Sequence, residues 1–86
     1  KQLVQLLAAK KFNDVRKWVG ENSDHDQAQL FRDLYDNAHM DLEVQSIPQL
    51  ILILADYQYK AAFVADKEIN LMACLTEVMS SCQFKG

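Results

Sequence analysis

Few side chains in this sequence could do chemistry. His25 stands between Asp24 and Asp26, and His39 follows Asp36 at a spacing of three, which puts that pair on one helix face. An imidazole beside carboxylates can hold a metal ion, but a metal site needs three or four convergent ligands, and neither group supplies them. These residues read instead as solvated polar groups with N-capping duty. Cys74 could act as a nucleophile, yet it lies mid-helix in apolar sequence with no base at suitable spacing. Cys74 and Cys82 fall on one expected helix, ~12 Å apart along its axis and beyond disulfide reach. They read as small buried apolar residues in a reducing compartment.

Phosphate chemistry fares no better. Gly20 and Gly86 are the only glycines, so a glycine-rich phosphate loop cannot be built. Lys10, Lys11, Arg16 and Lys17 could touch nucleic-acid phosphates, although Arg16 and Lys17 also fit the wet face of a short helix. Trp18, Phe31, Tyr35, Tyr57, Tyr59 and Phe63 recur at helical spacing and do not form stacking platforms for bases. The sequence therefore offers no catalytic residue, no cofactor-binding residue and no metal ligand set.

What must position these side chains is one small domain spanning residues 1–86. Half of the residues are apolar and 24% are charged, the balance of a globular chain and not of a disordered one. With Pro48 as the sole proline and two glycines, helices joined by short links are favoured over a turn-rich sandwich or barrel. The expectation is an all-α fold, a bundle of about five helices. No apolar run approaches the ~20 residues of a membrane span. The net charge of −3 is unevenly spread. Residues 1–20 carry Lys1, Lys10, Lys11, Arg16 and Lys17 against Asp14. Residues 21–46 carry Glu21, Asp24, Asp26, Asp33, Asp36, Asp41 and Glu43 against Arg32. Opposed patches of this kind suit contact with neighbours or pairing within the chain better than a nucleic-acid footprint.

Taken in order, Leu3, Leu6 and Leu7 mark a first helix over about Lys1 to Ala9, with Lys10 and Lys11 complementing its dipole. Asn13 reads as the cap of a second helix whose stripe is Val15, Trp18 and Val19. Gly20 can end it, or it can fray to Asn22. Ser23 or Asp24 caps a third helix reaching about Met40, with Leu30, Phe31, Leu34, Tyr35 and Ala38 buried. Leu42 and Val44 are expected to anchor the connection that follows. Because the chain starts directly in amphipathic sequence, it is expected to be the carboxy-terminal piece of a longer protein.

Ser46 to Phe84 carries more apolar surface than one small core needs. Ser46 and Gln49 form a capping-box pattern, and Pro48 suits a first helical turn, which decides LILIL for helix over strand. On this fourth helix Ile47, Leu50, Ile51, Leu54, Tyr57 and Ala61 share one face, while Leu52, Tyr59 and Phe63 lie roughly opposite. Such a helix is either central in a bundle or shared between the core and a partner. Asp66 caps a fifth helix whose core face is Leu71, Met72, Leu75, Val78, Met79 and Cys82. Ile69, Ala73, Thr76 and Ser80 line its back, a strip of mostly small residues that suits either a closely approaching helix or solvent. Leu52, Tyr59, Phe63, Ile69, Ala73, Thr76 and Ser80 are thus the candidate protein-interface residues.

The run PQLILILADYQYKAAFVADKEINLMACLTEVM resembles the last two helices of the carboxy-terminal collar domain of sliding-clamp loader ATPase subunits. Within that family it looks most like the small, replication factor C-like subunit of T-even-type bacteriophages. The similarity extends through KQLVQLLAAKKFNDVRKWV and the acidic third helix to Phe84-Lys85 near the end, so it covers nearly the whole chain. It departs at Ala61, Ala62 and Ala65, where such collars often carry glycine. The resemblance implies an upstream AAA+ module binding ATP and magnesium, with no cofactor in this piece. It implies collar-to-collar contact with other clamp-loader subunits in a pentamer. The sliding clamp and primer–template DNA would be reached only through the upstream module, in the cytoplasm of the host cell. Two other readings stand beside it. One is a free-standing helical adaptor taking a peptide or helix beside Leu52, Tyr59 and Phe63, which the abrupt start disfavours. The other is a helical piece of an enzyme whose active site lies elsewhere.

Overall fold

Leu3 and Leu7 bury one side of α1 (Gln2–Ala8), the first of six α-helices that the computed structural model places in residues 2–22 and 24–85, the residues it describes. The helix ends in a left-handed turn at Lys10, φ 57°. There the Lys11 N–H donates to the Leu6 carbonyl at 3.2 Å and the Lys10 N–H to that of Leu7 at 3.1 Å. This is the Schellman arrangement, with lysine standing where glycine is usual. The Lys10 ammonium does not serve α1: it donates to the Met79 carbonyl in the last turn of α6 (Lys67–Ser81). The expected start at Lys1 lies outside the described residues.

Because the turn at Lys10 has already redirected the chain, α2 (Phe12–Glu21) begins ahead of Asn13, and Asn13 is not its cap. Val15 and Val19 are buried and Trp18 half-buried, as the spacing predicts. Gly20 lies inside the helix without a positive φ, so the left-handed glycine cap is not used. Asn22 ends the helix instead, its Nδ2 donating to the Trp18 carbonyl at 2.8 Å.

Asp26, and not Asp24, caps α3 (Gln27–Asp36): its Oδ1 accepts the Ala28 N–H at 3.0 Å. Ser23, the other expected cap, lies outside the described residues. Phe31 and Leu34 are buried, but Tyr35 is exposed, one step round the helix from that line, with the Arg32 guanidinium 5.2 Å over its ring. The single helix expected to Met40 is divided. Asn37 leaves helical geometry while its Nδ2 donates back to the Asp33 carbonyl at 2.9 Å, a local bond that competes with the helical ladder. The short α4 (Ala38–Asp41) follows, which raises the expected five helices to six.

Leu42 is buried and pairs with Phe84 in an isolated antiparallel bridge. Two backbone bonds of 2.9 Å frame it, Glu43 N–H to Gln83 and Lys85 N–H to Asp41. Val44, expected to anchor this segment, is 76% exposed, because the chain turns there through a short 3-10 helix (Val44–Ser46). Ser46 lies in helical backbone geometry, not the extended one that an N-cap needs, so the capping box with Gln49 is absent. Pro48 does occupy the first turn of α5 (Ile47–Ala61).

α5 buries Leu50, Ile53 and Leu54, so its core face is rotated from the one expected: Ile53 belongs to it, and Ile51 is 39% exposed. Asp66 caps α6 as the sequence predicts, accepting the N–H groups of Glu68 and Ile69 at 3.0 and 3.1 Å. Leu71, Leu75, Val78, Met79 and Cys82 are buried with Cys74 and Asn70, and Met72 is partly buried. α5 and α6 pack along each other as a hairpin. α1 and α2 lie against α6, and α3 and α4 against α5. All of them enclose one apolar core, running from Leu3 to Cys82. The fold is all-α, and among the described residues no helix is long and apolar enough to cross a membrane.

Candidate protein interface

Leu52 and Tyr59 stand seven residues apart on α5, which returns them to the same side of the helix, opposite Leu50 and Leu54. They are 66% and 69% exposed. Phe63, read from periodicity as part of the same helical face, lies beyond the end of α5 in its link to α6 and is 71% exposed. The link still delivers its ring to the stripe. Tyr59 and Phe63 are 5.1 Å apart between ring centroids and tilted by 55°, a favourable aromatic arrangement. The two rings thus form one exposed aromatic patch.

The back of α6 is equally open. Ile69 is 68% exposed, and Ala73, Thr76 and Ser80 are all exposed. The two hydroxyls turn inward: Thr76 Oγ1 donates to the Met72 carbonyl at 2.7 Å and Ser80 Oγ to that of Glu77 at 3.1 Å. Hydroxyls already bonded to their own helix lose little if a partner excludes water from this strip. All seven candidate interface residues are therefore at the surface, six of them opposite the buried face of their own helix and Phe63 in the link between α5 and α6.

Between the two stripes runs the polar seam of the hairpin. The Tyr57 hydroxyl donates to Glu77 Oε1 at 2.9 Å, and Asn70 Nδ2 donates to the Tyr57 carbonyl at 3.2 Å. Lys60 pairs with Asp56 at 2.9 Å and lies 4.8 Å over the Tyr57 ring. Burial, then the bond to the Glu77 carboxylate, pushes the Tyr57 phenol up to about 12. These bonds fix the relative rotation of α5 and α6, and with it the orientation of both stripes. Hydropathy gave no sign of buried Asn70; only the pairing of the two helices supplies its acceptor.

The groups with conceivable chemistry are dispersed. His25 is exposed and meets Trp18 edge-on, ring centroids 6.2 Å apart. Asp26 caps α3, Asp36 pairs with Arg32 at 3.1 Å, and His39 is exposed. Among the described residues no three His, Cys, Asp or Glu side chains gather as metal ligands. Cys74 is fully buried, and desolvation, with a smaller push from the Glu77 carboxylate, moves its thiol up to about 12. A thiol held in that form is not a nucleophile at neutral pH. Cys82 is likewise buried and raised, chiefly by desolvation.

One concavity was not legible in the sequence, a cleft of about 540 Å³ whose walls include Trp18, Leu30, Phe31, Gln58 and Leu71. Gln27 reaches it from the start of α3, its Nε2 donating to the Lys67 carbonyl at 3.3 Å while its buried Oε1 has no partner among the described residues. In comparison with known proteins, the chain matches no protein-family model and no curated sequence.

Proposed function

We propose that this chain is an oligomerisation collar, a helical domain that holds neighbouring subunits of a DNA polymerase sliding-clamp loader together during DNA replication. The observation that carries the reading is the exposure of Leu52 and Tyr59 on the outer side of a helix buried on its other side, with the ring of Phe63 packed on that of Tyr59. Aromatic side chains are enriched at the cores of protein interfaces. The replication setting is carried by the likeness of the hairpin sequence to clamp-loader collars. On this reading the partners are other clamp-loader subunits, met collar to collar. ATP, magnesium, the sliding clamp and primer–template DNA belong to an AAA+ module of the same subunit, and the setting is cytoplasmic.

Covering Leu52, Tyr59 and Phe63 contributes ~5–8 kcal/mol. Much of that is offset by the entropy lost on association, so an isolated copy self-associates only weakly through this stripe. Phe63→Asp tests the proposal, since Phe63 lies in an exposed link and its replacement spares the core. The expected result is loss of assembly in native mass spectrometry with unchanged helical circular dichroism. Intact assembly in the variant would remove this stripe from the interface.

A second reading, a helical adaptor for a partner peptide or helix, is favoured by one observation, the cleft beside Trp18 with the unpartnered Gln27 Oε1. An apolar anchor bearing an N–H donor would fit it. Shifts of the Trp18 indole resonance on adding candidate peptides separate this reading from the first.

A further inference from the structure

The cleft beside Trp18 does not stand alone. A second cleft, of about 270 Å³, opens between α1 and α3 and shares Trp18, His25 and Leu30 with the first, so the two adjoin there. Leu3, Val4 and Leu34 give the second an apolar wall, as Val19, Phe31 and Leu71 do the first. Leu30, Asp33 and Asn37 follow at spacings of three and four, which puts them on one side of α3 and carries the groove along that helix. The charge of this groove is one-sided. Asp26 and Glu68 line the first cleft and Asp33 and Asp41 the second, and none of these four carboxylates joins an ion pair among the described residues. Asp26 and Asp33 each use one oxygen on the Ala28 N–H and on Gln29 Nε2, bonds that leave their negative charge in place. Lys67 is the sole lysine or arginine among the described lining residues, and its ammonium is turned to the Ala61 carbonyl at 3.3 Å. Lys11, Arg16 and Lys17 are exposed but line neither cleft.

We infer that this groove takes a basic peptide from another protein. One large apolar side chain sits against Trp18 and Leu71 in the wider cleft, lysine or arginine beside it meets Asp26 and Glu68, and the next ones meet Asp33 and Asp41. Charge complementarity names the occupant, because an apolar seat rimmed by unpaired carboxylates rewards cations and repels acidic sequence. Length argues for a peptide over a single small cation. Asp26 to Asn37 spans about 16 Å of helix axis, the reach of about five extended residues. A cleft of about 540 Å³ holds a side chain or two and excludes a whole helix. The inference deepens the adaptor reading and rests on it, and it uses no residue of the Leu52 and Tyr59 stripe.

Three blocked hexapeptides test it on the whole chain. Each has leucine-phenylalanine at its centre, with two lysines, two serines or two glutamates on either side. Trp18 is the sole tryptophan, so its indole N–H resonance reports the groove without ambiguity. The lysine peptide is expected to bind about tenfold or more tighter than the serine peptide at about 0.02 M salt, and to lose that lead at about 0.5 M. D33N/E68Q should weaken the lysine peptide by about tenfold and leave the serine peptide unchanged. Both replaced side chains are exposed, so circular dichroism should not change. Equal binding of lysine and serine peptides, or preference for glutamate, overturns the basic class and leaves the adaptor reading standing. A lysine preference that D33N/E68Q does not reduce overturns this groove as its source. No shift of the indole with any peptide at millimolar concentration overturns both the inference and the adaptor reading.

Discussion

The Ser46 hydroxyl accepts the backbone N–H of Gln83 at 2.8 Å, across 37 residues of sequence. With the bridge between Leu42 and Phe84, this bond sews the carboxy-terminal tail to the segment that launches α5. Ser46 is itself buried, so its hydroxyl is spent on the tail and not on the helix it precedes.

Ser46→Ala strands the Gln83 N–H, and leaving such a donor unsatisfied costs about 1–3 kcal/mol. The loss should appear as a lower urea midpoint. Hydrogen exchange locates it: the Glu43 and Lys85 amides, which make the flanking bonds, should lose protection first. If the Gln49 and Leu50 amides lost protection instead, Ser46 would be acting as a helix cap after all.

Lys10 sets a backbone cost against a side-chain gain. Its left-handed φ of 57° costs an L-residue about 1–2 kcal/mol, while its ammonium meets the Met79 carbonyl at the end of α6. Lys10→Ala keeps the strain and loses the bond, so it should destabilise by about 1–2 kcal/mol. Lys10→Gly loses the bond but relieves the strain, and should be about 1 kcal/mol more stable than the alanine variant. Denaturant midpoints of the two variants check the order; alanine equal to or better than glycine would contradict the turn geometry.

The helical class was legible because glycine and proline are scarce, and Asp66 and Pro48 marked real helix starts. Ser46, Val44 and Tyr35 were misread for a common reason. Each was assigned from neighbours in sequence, but what decides its place is a turn, a tail or a rotation set elsewhere. Ile53 and Ile51 differ by two positions, and only contact with α3 and α6 fixes which one the core takes. The exposure of Leu52 and Tyr59 could be read because it is the complement of a buried stripe on the same helix. The charge imbalance was also visible, but its lack of internal pairing required knowing which helices touch.

The alkaline limb of stability should belong to Cys74, Cys82 and Tyr57, all raised chiefly by burial. Burial first, then Glu77, holds the Cys74 thiol at about 12 against an ordinary 9.0, and burial with the Glu77 bond holds Tyr57 at about 12 against 10.0. As pH rises past each ordinary value the unfolded chain loses a proton that the folded chain keeps, so stability falls. The contributions are whole below pH 9.0 and 10.0 respectively and are lost by about 12. Urea midpoints should therefore decline from pH 9.0 upward. Cys74→Ala should reduce the early part of that decline, which the Cys82 thiol shares, and Tyr57→Phe the later part; an unchanged slope in both variants would assign the limb to other groups.

If the outer stripe is an interface, it should contribute little to the fold and much to assembly. Leu75 is fully buried, and Leu75→Ala should lower monomer stability by about 2–5 kcal/mol through the cavity it leaves. Leu52 is an identical side chain in solvent, and Leu52→Ala should change monomer stability by no more than about 0.5 kcal/mol. Tyr59→Ala gives up the contact with Phe63 and should cost slightly more, about 0.5–1.5 kcal/mol. In native mass spectrometry the order should invert, with Leu52→Ala and Tyr59→Ala weakening assembly although their folds persist. Leu52→Ala that left assembly intact, with a monomer as stable as the wild type, would return that side chain to plain solvent. The contrast between two leucines, one in the core and one outside it, is what separates an interface from surplus apolar surface.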